Sequence, residues 1–122
     1  MDLIQDFDFS ESCYHRGNKK WKASTLYDFA KIKGYPVIET QLAGIDLTYE
    51  GLMNSTVMHD FLFQCKRVMN CSLEHPIILN NYGQIADGYH RVCKAILEGK
   101  ETIKAIRLLE MPNPDVVDGK ED

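Results

Sequence analysis

Apolar residues along this chain recur at two different spacings, and each change of spacing marks an element. From Thr25 the spacing is helical: Leu26, Phe29 and Ala30 share a face, and Thr25 and Asp28 have the separation of a capping box. Gly34 stops that helix and Pro36 prevents its resumption. Residues 37–42, Val-Ile-Glu-Thr-Gln-Leu, then alternate as a half-buried strand should, up to Gly44. A second helix is predicted over 56–69, with Val57, Met58, Phe61, Leu62, Cys65, Val68 and Met69 as its buried stripe. His59 and Asp60 fall outside the stripe, about 100° apart, and read as surface residues. Pro76 introduces a buried strand, Ile77-Ile78-Leu79, which the turn chemistry of Asn80-Asn81-Tyr82-Gly83 reverses into Gln84-Ile85-Ala86.

The third helix is predicted over 89–98. Tyr89, Val92, Cys93, Ile96 and Leu97 make one continuous stripe, and Gly99 supplies a left-handed stop. Residues 102–109 alternate again and return to the sheet. The ends read differently. Leu3, Ile4, Phe7 and Phe9 suit either an edge strand or a packing arm, and 12–22 is polar and basic, so residues 1–24 form an N-terminal arm. Residues 111–122 carry two prolines and four acids and predict a mobile acidic tail. Between them, 25–110 is one domain of the α/β (α+β) class, a compact mixed sheet with flanking helices.

Composition narrows the function classes. A chain of 122 residues holds one modest core, and a net charge of −4 argues against a surface built to grip nucleic-acid phosphates. No apolar run approaches the roughly 20 residues of a membrane helix. Met1-Asp2 lacks the basic start of a signal peptide, so a cytoplasmic protein with no membrane partner is expected. Cys13, Cys65, Cys71 and Cys93 make no Cys-x-x-Cys pair and read as reduced, small buried hydrophobes. Cys13 with His15 lacks a second pair at ligand spacing. Lys19, Lys20 and Lys22 around Trp21 make a small basic-aromatic cluster, which leaves weak nucleic-acid binding as a third reading.

Candidate chemistry concentrates at Asp87-Gly88-Tyr89-His90-Arg91, where a strand turns directly into the third helix. A helix mouth has unpaired backbone N–H groups and the positive end of the dipole. His90 and Arg91 add positive charge there, which invites a phosphate or carboxylate. Gly88 allows close approach, Arg91 can bond an anion bidentately, and His90 can donate or move a proton. Asp87 has two readings, an N-cap or a ligand for Mg²⁺.

This order of elements, with the Asp-Gly-x-His-Arg turn between a hairpin and an amphipathic helix, resembles the ParB N-terminal and sulfiredoxin superfamily over residues 36–110. The turn is closest to that of the free-serine kinases of this fold. The resemblance implies a nucleoside di- or triphosphate as ligand, with Mg²⁺ at Asp87 and with Gly88, Tyr89, His90 and Arg91 binding phosphate. It implies an NTP-dependent phosphotransferase or nucleotidase, with His90, Asp87 and Glu50 as the catalytic candidates and a small-molecule acceptor. Asp46 and Glu39 are further acidic candidates. Tyr89 stands where sulfiredoxin has its reactive cysteine, which argues against sulfinic acid reduction. The chain also lacks the further domains of ParB partition proteins, which argues against specific DNA binding. The alternative is a noncatalytic regulatory or protein-interaction module that keeps the fold as a standalone domain.

Overall fold

Two faces of one four-stranded sheet carry the core, and its central strands show how. A computed structural model describes residues 13–48 and 57–118. In chain order the elements are β1 (Cys13–Arg16), β2 (Lys19–Lys22), α1 (Ala23–Lys33), β3 (Ile38–Gln41), a 3-10 turn (Leu42–Gly44) and α2 (Met58–Asn70). They continue with β4 (Ile77–Leu79), β5 (Ile85–Asp87), α3 (Tyr89–Leu97), β6 (Thr102–Arg107) and β7 (Val116–Val117). The main sheet has the order β3-β6-β4-β5. β6 runs parallel to β4 and antiparallel to β3, and β5 is antiparallel to β4.

All three residues of β4 are buried, because the strand is covered on both faces. Ile77 and Leu79 point to the layer that holds Val92 and Ala95 of α3, whereas Ile78 points to the layer that holds Leu26 and Ala30 of α1. β6 divides in the same way, with Ile103 and Ala105 toward α3 and Ile106 toward α1. The architecture is therefore α+β, a mixed sheet between helices. Each fully buried Ile or Leu in it contributes roughly 1.5–3 kcal/mol.

The structure departs from the sequence reading at four places. Residues 13–22 are not a loose arm. β1 and β2 form a hairpin, and the indole of Trp21 is buried on the α1 side, its Nε1 donating to the Pro112 carbonyl at 2.8 Å. The tail is not mobile as far as Asp118. β7 pairs with β2 as the third strand of a second sheet, and the Asp115 carboxylate accepts from Lys22 N at 2.8 Å and Thr25 Oγ1 at 3.0 Å. Thr25 is thereby taken from its expected capping role, and α1 begins at Ala23 without a side-chain cap. Finally, α2 has no buried residue: Met58 and Met69 are each 72% exposed and Leu62 is 55% exposed. The amphipathic pattern made the helix, but the helix packs along α3 by its flank, and much of the stripe faces outward. None of the four cysteines is in a disulfide, and none is fully buried.

Candidate functional site

The predicted turn folds as a strand-to-helix junction, but its N-cap is Gly88, with φ 111°, rather than Asp87, and no side chain caps the helix. A Cβ built on Gly88 would lie 2.7 Å from Ile77 Cβ and still closer to Ile77 Cγ2. The glycine is thus required by the packing of β4 beneath the turn as well as by the backbone angle. The sequence reading assigned it to ligand approach. Its nearest neighbour is the protein's own core.

Asp87, set free from capping, turns toward α1. Its Oδ2 accepts from the Tyr27 hydroxyl at 3.0 Å and from Arg91 Nη2 at 3.2 Å. Arg91 Nη2 also donates to Tyr27 at 2.7 Å and to the Pro76 carbonyl at 3.2 Å. The Tyr27 hydroxyl shares its one proton between Asp87 and Pro76 O, which lies 2.7 Å away. Side-chain exposure is 18% for Arg91 and 13% for Asp87, so this is a partly buried ion pair with hydrogen-bond support. Burial first, then the neighbouring Asp87 charge, push the Tyr27 hydroxyl well above its ordinary pKa, so it stays protonated. Asp87 thus neutralises Arg91 within the turn, while the first-turn N–H groups of α3 keep no side-chain cap.

His90 points the other way, toward α2. Its Nε2 lies 2.6 Å from Gln64 Oε1, which makes it the donor in the neutral tautomer. Burial, then the Arg67 and Arg91 charges, push its pKa down to about 4. The imidazole is therefore neutral at physiological pH and joins two helices. Tyr89 donates its hydroxyl to the Ile85 carbonyl at 2.9 Å, one turn back across the junction.

A cavity of about 260 Å³ opens beside Tyr89, between β1, the 46–48 loop and β5. Tyr14, His15, Asp46, Thr48 and Gln84 are among its lining residues. Asp46 Oδ1 accepts from Thr48 N at 2.9 Å and Thr48 Oγ1 at 2.6 Å, and these two bonds hold its carboxyl below the usual range. Of the predicted residues, the structure brings Tyr89 and Asp46 to one cavity. Asp87 and Arg91 meet each other in the clasp, and His90 is joined to α2. Glu39 lies elsewhere, on the edge strand, accepting from Thr102 Oγ1 at 2.8 Å, and Glu50 lies outside the described residues.

Asp87 Oδ2 is already taken by Arg91 and Tyr27, so a Mg²⁺ ion at that oxygen would have to displace both. Among the described residues no cluster of three or more His, Cys, Asp and Glu side chains could hold a metal ion. Nor is any described helix long and apolar enough to cross a membrane. Sequence reasoning missed Tyr27, Gln64, Tyr14 and Gln84 as partners of the site. The Asp46-x-Thr48 spacing, an Asx-turn pattern, was the available signal for an ordered loop there. No family model, curated protein or solved structure matches this chain.

Proposed function

We propose that this chain is a ParB/sulfiredoxin-like domain that binds a nucleotide without transferring its phosphoryl group. The observation that carries the reading is the cavity bordered at once by the first residue of α3 and by the ionised Asp46. A carboxylate held by two internal donors keeps lone pairs for ribose hydroxyls, the pairing by which dinucleotide folds hold a ribose. The Tyr14 hydroxyl and Gln84 Oε1 accept from Asn80 Nδ2 at 2.7 and 3.0 Å, which leaves the Tyr14 O–H and the Gln84 amide N–H groups as donors to the base. At about 260 Å³ the cavity is slightly smaller than the roughly 300–1,000 Å³ of drug-sized sites, which suits a nucleoside with its phosphates outside. The phosphates would lie against the N–H groups of the first turn of α3.

The noncatalytic part rests on the motif's charges. Arg91 and Asp87 neutralise each other, and His90 is neutral and bonded to Gln64. None of the three is positioned as a base or phosphate clamp at the cavity. The test is thermal unfolding with ATP, ADP, adenosine and inorganic phosphate, on wild type and Asp46→Ala, alongside a phosphate-release assay. A nucleotide at about 100 times its Kd should stabilise the wild type by roughly 2.7 kcal/mol. That shift should vanish in Asp46→Ala without any phosphate release. No shift with any nucleotide refutes the binding reading, and ATP turnover above the blank refutes the noncatalytic one.

A second reading, a protein-interaction module, is favoured by the outward stripe of Met58, Leu62 and Met69 on α2. Light scattering across a concentration series, on wild type and Met58→Glu/Met69→Glu, tests whether this stripe pairs with a second copy.

A further inference from the structure

A second cavity, of about 330 Å³, lies on the α3 face of the sheet by β3, between the 3-10 turn and the Asn80–Gly83 turn. Its floor is apolar and fixed: Ile45, Leu79 and Ala105 are 6%, 4% and 1% exposed. Its rim is polar, with Tyr82 and Arg107 at the turn. The Arg107 guanidinium donates one bond, from Nη2 to the Asn81 carbonyl at 3.0 Å, and thereby lies across Gly83. Gly83 itself is favoured by its φ of 84°, and a Cβ there would only touch Arg107 Nη1, at 3.4 Å. A second cation, Arg16, sits 4.4 Å above the Tyr82 ring. Among the described residues no carboxylate lines this cavity.

From these features we infer that the cavity binds a small organic acid, its apolar body on the Ile45, Leu79 and Ala105 floor and its carboxylate on Arg107. The volume falls within the range of small-molecule sites, and an apolar floor with one convergent charged group is their usual composition. Arginine is anchored by one donor and presents the others in a planar fork, the geometry that accepts a carboxylate bidentately. No described lining residue competes as an acid for Arg107, so its charge is complementary to that of the ligand. This site is separate from the nucleotide cavity: it shares none of its lining residues, and Ile45 and Asp46 face opposite sites from one loop.

The probe is 4-methylbenzoate, with neutral 4-methylbenzamide as its near-isostere, titrated into the full chain by ligand-detected NMR and calorimetry. The carboxylate should bind at least roughly tenfold more tightly than the amide, the equivalent of one charge-assisted hydrogen bond. Arg107→Met should reduce binding of the carboxylate to the level of the amide. Equal binding of the two probes by wild type overturns the inference, with no need for a folded variant. So does no binding at millimolar concentration. A failure of the nucleotide panel leaves this result untouched, because the two cavities are read by different variants.

Discussion

Replacing Gly88 by alanine separates the two meanings a glycine can have in a strand-to-helix turn. A new Cβ meets two obstacles. The first is the backbone, since φ 111° lies in a region that L side chains rarely adopt, at a cost of roughly 1–2 kcal/mol. The second is the core, because that Cβ would come within 2.7 Å of Ile77 Cβ in a fully buried strand. Overpacking of this kind costs roughly 1–3 kcal/mol. Together they predict a loss of about 2–5 kcal/mol from a total near 5–15 kcal/mol. For a domain of this size, that lowers Tm by on the order of 10 °C. Urea and thermal unfolding followed by circular dichroism measure it directly. A double-mutant cycle with Ile77→Ala isolates the steric part, because removing the isoleucine's outer atoms gives the new methyl somewhere to go. The two substitutions should therefore cost less together than the sum of their separate costs, by about 1 kcal/mol or more. A Gly88→Ala protein as stable as wild type, or strict additivity in the cycle, would refute the packing argument and return the glycine to a role in ligand approach.

Three further outcomes follow from the same contacts. His90 has a folded pKa of about 4, below its ordinary 6.5, so the unfolded chain takes up the proton first. Stability is complete above about pH 6.5 and falls as the pH drops toward 4, by about 1–2 kcal/mol after discounting for a half-exposed ring. Urea midpoints at pH 7 and pH 4.5 check this, and a His90→Gln variant that keeps the same pH slope would overturn it. Tyr27→Phe removes the hydroxyl shared by Arg91, Asp87 and Pro76, which should cost about 1–3 kcal/mol in chemical unfolding, and a neutral effect would mean the clasp does not support the turn. Asp115→Ala releases the contacts to Lys22 N and Thr25, so limited proteolysis near Asp115 should accelerate, whereas an unchanged rate would mean that β7 pairing alone holds the segment.

Local pattern was enough to find most of the fold. The helices, the β4–β5 hairpin and β6 follow from apolar periodicity and from turn residues such as Gly34, Pro36 and Gly99, all of which act within a few residues of themselves. The same local rules misjudged α2. Its stripe announced a helix with an apolar face, but whether a face is covered depends on what the rest of the chain brings to it, and the structure leaves Met58 and Met69 exposed. The tail shows the reverse error. Asp115 and Val116 look dispensable beside their neighbours, yet their partners, Lys22, Thr25 and Lys20, lie some 90 residues away in sequence.

At the site the division is sharper. Local pattern foretold that a strand would end in a glycine turn, that a helix with charged residues in its first turn would follow, and that an anion would suit the turn's positive charge. Long-range packing selected the anion. Tyr27 arrives from α1 and Pro76 from the start of β4, and between them they orient Arg91 onto Asp87 of the same turn. Gln64 arrives from α2 and takes His90. A motif lists which groups can bond. Packing sets which partner is within hydrogen-bond reach, and a partly buried charge takes the partner that packing has already desolvated rather than one still in water.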